Sequence, residues 1–342
     1  MAQHVAFLVI PASGHINPTL PLVAELLKRG YRVTYATGPA FRSPVEAAGA
    51  SFVELDWVPK AIKVSPDGQT TEELAEMLLG FVGSARRVMP AVEEWLTTDR
   101  PDLFCYDMMT FIGPMLAEKL GLREATTGAN FAGNDHFSLG SAVVPPDFDP
   151  SHPKFQEFLA ARAAFARDFG VPVDKVAAAG AVAPLNLVFI PREFQFAGET
   201  FDERFHFVGP AIGEQVELES LGELLGNFDV RPWFPQPAVL EHAKVFLSHA
   251  GMNSVMEALL NQVPLATFPQ TPEQHANARR VAELGLGRTV EGELSADSLR
   301  RLVDNLATDA TVRFNLAEMS AHVRAAGGPA AAADAIERYL KA

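Results

Sequence analysis

The 342-residue chain exceeds one ordinary domain, and with 48% hydrophobic and 20% charged residues it has the profile of a globular protein with two cores. Its formal net charge of −14 disfavours a nucleic-acid backbone or an anionic membrane surface as the main partner. A single cysteine, Cys105, excludes an internal disulfide and a cysteine-built zinc cage; with no basic leader and no apolar run near the ~20 residues of a membrane span, a cytoplasmic protein is expected.

In chain order, residues 4–10 (HVAFLVI) form a short, continuous apolar run that predicts a buried strand. Asn17 followed by Pro18 predicts an N-cap and first-turn proline, opening an amphipathic helix to about Arg29, which Gly30 ends. Arg32–Ala36 and Ser51–Leu55 are expected as strands around a short helix at Phe41–Ala48, and Asp56–Gln69 as a loop. Thr70 and Glu73 have capping-box spacing and start a long helix to about Thr97. Leu103–Asp107, Phe111–Leu120 and Glu124–Thr127 then read strand, helix, strand. This alternation argues for a doubly wound parallel sheet.

Residues 129–185 break the rhythm with several phenylalanines (131, 137, 148, 155, 158, 165, 169) and a helix near 154–169. Such an excursion beside strand ends is a place for an apolar ligand, although any single phenylalanine there is more readily core. Leu187–Pro191 and His206–Val208 read as the last strands of the first half, with a linker from Val208. The second half predicts strands at Phe228–Val230, Val245–Ser248 (buried), Pro264–Phe268 and Arg288–Val290. Helices follow from Ser295 to Ala307, onward to Ala325, and after Gly327-Gly328-Pro329 to the end.

The run from Trp233 to Gly287 carries the densest chemistry. A strand at Val245–Ser248, a turn at His249–Gly251 and a helix from Met252 aim free backbone N–H groups and a helix dipole at one spot, which suits a phosphate. Asn253 and Ser254 sit in that helix's first turn, and Glu257 is placed on the face of Ser254 to accept vicinal hydroxyls. Trp233, near Pro235 and Gln236, either stacks on a base or belongs to a domain-edge core; Glu273 and Gln274 stand at another strand-to-helix turn suited to sugar hydroxyls. His249 either caps its turn or faces the phosphate. In the first half, His15 and Asp107 each follow a strand at the carboxyl edge of the sheet, where ligands of open α/β folds bind. Asp107 either caps the next helix or meets His15, orienting the ring as a carboxylate does in a triad without a nucleophile.

These ordered matches, from HVAFLVIPASGHINPTLPL to AAGGPAAAADAIERYL, resemble the family 1 inverting glycosyltransferases of GT-B fold (UDP-glycosyltransferases). They are most similar to the bacterial macrolide and flavonoid glucosyltransferases. The resemblance implies an α/β protein of two Rossmann-like domains facing across a cleft. Residues 1–210 would bind acceptor, 211–325 nucleotide sugar, and 326–342 would form a helix returning to the first domain. It implies His15 as general base and Asp107 as its partner. Trp233 would stack on uracil with Gln236 nearby, and Glu257 would bind the ribose. His249, Gly251, Asn253 and Ser254 would hold the diphosphate, Glu273 and Gln274 would read glucose, and Asn130 and Phe131 would begin the acceptor pocket. A UDP-sugar is then a co-substrate, and neither cofactor nor metal is expected.

One departure stands out. Between Gln215 and Val216 the family pattern carries on the order of fifty more residues, about one and a half βαβ units, including the second domain's first strand. A parallel sheet lacking that strand would expose apolar neighbours and unpaired backbone groups. The departure keeps open a non-catalytic or truncated nucleotide-sugar-binding protein beside the enzyme, and a sugar-nucleotide epimerase is a further alternative.

Overall fold

The structure, a computed structural model, describes residues 2–57, 70–142, 144–145, 148–176, 182–211, 235–290 and 295–342. The first half runs β1 (His4–Leu8), α1 (Ser13–Ile16), α2 (Leu20–Lys28), β2 (Arg32–Thr37), α3 (Arg42–Ala47), β3 (Ser51–Glu54), α4 (Thr71–Thr98) and β4 (Leu103–Asp107). It continues through α5 (Ile112–Leu120), β5 (Glu124–Gly128), α6 (Leu139–Ala142), α7 (Pro153–Phe169), β6 (Asn186–Val188) and β7 (Phe205–Phe207). Its seven strands form one parallel sheet in the order β3-β2-β1-β4-β5-β6-β7. β1 and β4 are buried along their whole length, as central strands covered on both faces must be. Their side chains alternate. Val5 and Phe7 join Leu22, Val23 and Leu26 of α2 on one side, whereas Ala6, Leu8 and Phe104 meet Val88, Met89 and Val92 of α4 on the other. The Thr70–Glu73 capping box forms as the spacing predicts, with Thr70 N–H donating to Glu73 Oε2 at 2.9 Å. Phe158 and Phe165 of α7 are buried in the core shared with α4 and α5, so these two belong to packing.

The second half comprises α8 (Gln236–Leu240), β8 (Phe246–Ser248), α9 (Met252–Leu260), β9 (Leu265–Thr267), α10 (Pro272–Glu283), β10 (Gly287–Thr289), α11 (Ala296–Thr308), α12 (Ala310–Ala325) and α13 (Gly328–Lys341). Three parallel strands lie in the order β10-β9-β8. The expected strand at Phe228–Val230, the junction at Gln215–Val216 and Trp233 lie outside the described residues. Two expectations need correction. Val245–Ser248 is not a buried strand: among the described residues β8 lies at one edge of its sheet, and Leu247 is 49% exposed. Asn17 is not an N-cap; it is the C-cap of α1, and the second helix starts three residues later with Pro21 in its first turn. The break is closed by Thr19, whose hydroxyl donates to the Ile16 carbonyl at 2.7 Å and pairs with Tyr35 Oη at 2.6 Å.

The chain crosses between its halves twice, and the crossings touch. Gly328 N–H donates to the Val208 carbonyl at 2.6 Å, and Gly209 (φ 72°) lies against α12, where an added Cβ would sit 2.9 Å from Ala326 Cβ. Gly327 and Gly328 are both left-handed (φ 86° and 56°), the conformation glycine adopts without strain, and turn the chain into α13. α13 then packs on α2 of the first sheet. Arg29 donates to Asp334 Oδ1 at 2.6 Å and Glu337 Oε1 at 3.2 Å, while Ala332, Ala333 and Ile336 are fully buried.

Candidate active site

His15 Nδ1 lies 2.7 Å from Asp107 Oδ2, bringing together a single-turn helix after β1 and the carboxyl end of β4. A carboxylate only accepts, so Nδ1 carries the proton and the neutral ring presents its lone pair on Nε2. Asp107 is 1% exposed and His15 21%. The other Asp107 oxygen accepts the Met109 N–H at 2.8 Å, so the carboxylate is fixed from two sides. It does not cap the following helix, whose N-cap position is Phe111. Burial alone would lower the His15 pKa, but the Asp107 charge and hydrogen bond, with Glu273 adding to them, raise it above the ordinary value of 6.5. The ring is thus a stronger base than free imidazole.

Opposite stands the turn between β8 and α9. Ala250 is left-handed (φ 64°), a strained state for a side chain with Cβ that must be held in place. Its N–H donates to Ser248 Oγ at 3.1 Å and its carbonyl accepts from buried Asn277 Nδ2 at 2.9 Å. Gly251 is the N-cap of α9 with no side-chain cap, leaving the first-turn N–H groups facing outward; a Cβ there would meet His249 Nε2 at 2.6 Å. His249, Gly251, Asn253 and Ser254 therefore gather around one helix start, the arrangement that receives an anion. Gln236, at the start of α8, donates to Ser254 Oγ at 3.1 Å and Glu257 Oε2 at 2.7 Å. Half-buried Glu257 has its pKa raised by burial, against which the Gln236 hydrogen bond works.

The two sides meet. Pro18 has no N–H to offer the Gly14 carbonyl four residues back, and Asn253 Nδ2 reaches that carbonyl at 3.4 Å. Glu273, in the first turn of α10, accepts from Asn130 Nδ2 at 2.5 Å. Gln274 is engaged locally, its Oε1 accepting the Gln270 N–H at 2.8 Å while its own N–H reaches Thr271 Oγ1 at 3.4 Å. Phe131 differs from expectation. Its ring is 1% exposed, stacked on Phe194 at 5.8 Å and tilted against Phe196 at 4.8 Å, in a core continuous with α9 and α10. A ring enclosed this way offers no face to a ligand; it supports neighbouring Asn130.

Asn277 was not singled out from the sequence, yet it anchors the strained turn. The signal was a polar residue on the buried stripe of α10, four residues before Val281. Asn277→Ala leaves the Ala250 carbonyl without its donor, but also removes Oδ1, which is buried and has no partner among the described residues. The two effects partly offset, so the expected loss is at the lower end for a broken buried hydrogen bond, about 1 kcal/mol. Urea denaturation of the variant checks this.

The UDP-glucoronosyl and UDP-glucosyl transferase family model matches residues 219–324. The chain is similar to the NDP-glycosyltransferase YjiC of Bacillus licheniformis, with 34% identity covering 99% of this chain and 98% of that one. It is 32% identical to the demethyllactenocin mycarosyltransferase of Streptomyces fradiae, covering 98% of this chain and 86% of the relative. The crystal structure of the calicheamicin glycosyltransferase CalG4 superposes with a TM-score of 0.81 at 30% identity, covering 99% of this chain and 98% of that one.

Proposed function

Because the chain belongs to the UDP-glucoronosyl and UDP-glucosyl transferase family, and is a glycosyltransferase of GT-B architecture that uses a nucleotide sugar, we propose that it moves glucose from UDP-glucose to a hydroxyl of an apolar small molecule such as a macrolide or flavonoid. The observation that carries this reading is the His15–Asp107 pair, one residue from the backbone carbonyl that Asn253 of the opposing helix start reaches. Nε2 of His15 takes the proton from the acceptor hydroxyl as its oxygen bonds to the anomeric carbon. The bond from that carbon to the diphosphate oxygen breaks on the opposite face, and configuration inverts. Negative charge grows on the leaving diphosphate beside His249 and the N–H groups of Gly251, Asn253 and Ser254, where helix-end donors lower the barrier most. These groups meet the diphosphate without a metal, and the nucleotide sugar is a co-substrate.

Residues 1–210 serve the acceptor, 211–325 the donor, and 326–342 return to the first lobe. Glu257 takes the ribose hydroxyls, with Gln236 holding its carboxylate in place. Glu273 and Gln274 face the hexose, and Asn130, bonded to Glu273, sits where acceptor and sugar meet. Transfer accounts for an acceptor side that an epimerase would not use. Incubation with UDP-glucose and a panel of phenolic and macrolide acceptors, read by product mass, tests the proposal; UDP binding with no glycosylated product from any acceptor would leave only a binding protein. Glu257→Ala is expected to weaken UDP about tenfold, the scale of one charge-assisted hydrogen bond, and thymidine diphosphate less, since deoxyribose lacks one hydroxyl. Equal losses in calorimetric titrations would remove Glu257 from ribose recognition.

A further inference from the structure

Away from the cleft, where the two chain crossings lie side by side, a cavity of about 400 Å³ opens between β7, α12, α13 and the loop after β6. Its wall is cationic in a protein whose net charge is −14. Arg192 spends its guanidinium on the carbonyls of Gly198 (2.7 Å) and Phe201 (3.0 Å) and stacks 4.6 Å from the Phe207 ring, so no carboxylate neutralises it. The guanidinium of Arg338, exposed on α13, has neither hydrogen bond nor ion pair among the described residues. His206 faces the same space from β7. Among the described residues one carboxylate, Glu193, lines the wall, its Oε1 3.2 Å from His322 Nδ1, and the two guanidiniums outnumber it. Burial first, then repulsion from Arg338 and Arg192, holds the His206 imidazole below its ordinary pKa, which registers the positive potential there.

We propose that this hinge cavity binds a phosphate-bearing anion, through Arg338 as a forked donor and His206 as a second contact, at a site separate from the donor cleft. The volume admits a diphosphate group, and an unpaired guanidinium beside a second, dipole-solvated one is the chemistry that recognises it. The anion could be inorganic or the diphosphate of a nucleotide. Since the wall combines residues from both sides of the two crossings, an anion seated there ties α12 and α13 to the end of the first sheet.

The test is calorimetric titration of the full chain with inorganic pyrophosphate in saturating UDP, which occupies the donor cleft. The wild-type protein is expected to bind pyrophosphate under these conditions. Arg338→Glu should weaken that binding at least tenfold, and Arg338→Lys should retain most of it. Titration with UDP alone identifies the source: two sites, reduced to one by Arg338→Glu, point to the nucleotide, and one site points to the inorganic anion. A single UDP site together with no pyrophosphate binding in the presence of UDP, or isotherms unchanged by Arg338→Glu, would overturn the proposal. Should UDP fail to bind anywhere, the donor assignment falls, while pyrophosphate binding and its sensitivity to Arg338→Glu still judge the hinge site.

Discussion

His15→Ala is expected to abolish measurable glycosyl transfer, with kcat/KM falling by at least the ~10²–10⁴-fold that a positioned general base supplies. UDP should titrate with an unchanged Kd. The reason lies in how the two sides are joined: the contact to the donor lobe uses the backbone carbonyl of Gly14, which a side-chain truncation at the next residue leaves in place. Among the described residues the imidazole itself hydrogen-bonds to Asp107 alone. Loss of turnover with retained UDP binding therefore separates chemistry from donor capture. Turnover within tenfold of wild type would remove His15 from the reaction.

Asp107→Asn should have the second largest effect, and a characteristic pH signature. The Asp107 charge and hydrogen bond overcome burial to raise the His15 pKa above 6.5, with a smaller contribution from Glu273. A base must be neutral to act, so wild-type kcat/KM should fall as pH drops through that raised pKa. Asparagine removes the charge and, by offering its amide to Nδ1, can turn the ring to the tautomer with the proton on Nε2, where no lone pair is left to take the acceptor proton. The plateau rate should fall about 10²-fold or more, and the acid limb should move to lower pH. Profiles of kcat/KM between pH 5 and 9 for both proteins check the two effects together. A lower plateau with an unmoved limb would mean that Asp107 only shapes the loop through its bond to the Met109 N–H.

Much of this was legible in the chain because it is local. The Thr70–Glu73 box, the strand–helix alternation and the free helix start after Gly251 each follow from neighbouring residues and appear where their spacing places them. His15 and Asp107 were legible as strand-end residues, and parallel pairing of β1 with β4 brings their loops together. What was not legible depends on distant partners. Asn17 had the composition of a cap, but the helix start was settled by Thr19 bonding to Tyr35 on the next strand. Phe131 follows the end of β5 in sequence, yet Phe194 and Phe196, some sixty residues on, close over its ring. Leu247 belongs to an apolar run, yet it is 49% exposed, which the run itself does not signal.

The paired crossings at Val208–Gly209 and Gly327–Gly328 have a mechanical consequence. Two ties lying against each other, joined by the bond from Gly328 N–H to the Val208 carbonyl, resist slippage of one half along the other. Under the proposed assignment, the half that would hold the nucleotide sugar then keeps one register against His15, whatever alcohol waits across from it. On such a frame the acceptor wall can diversify without re-aiming the saccharide.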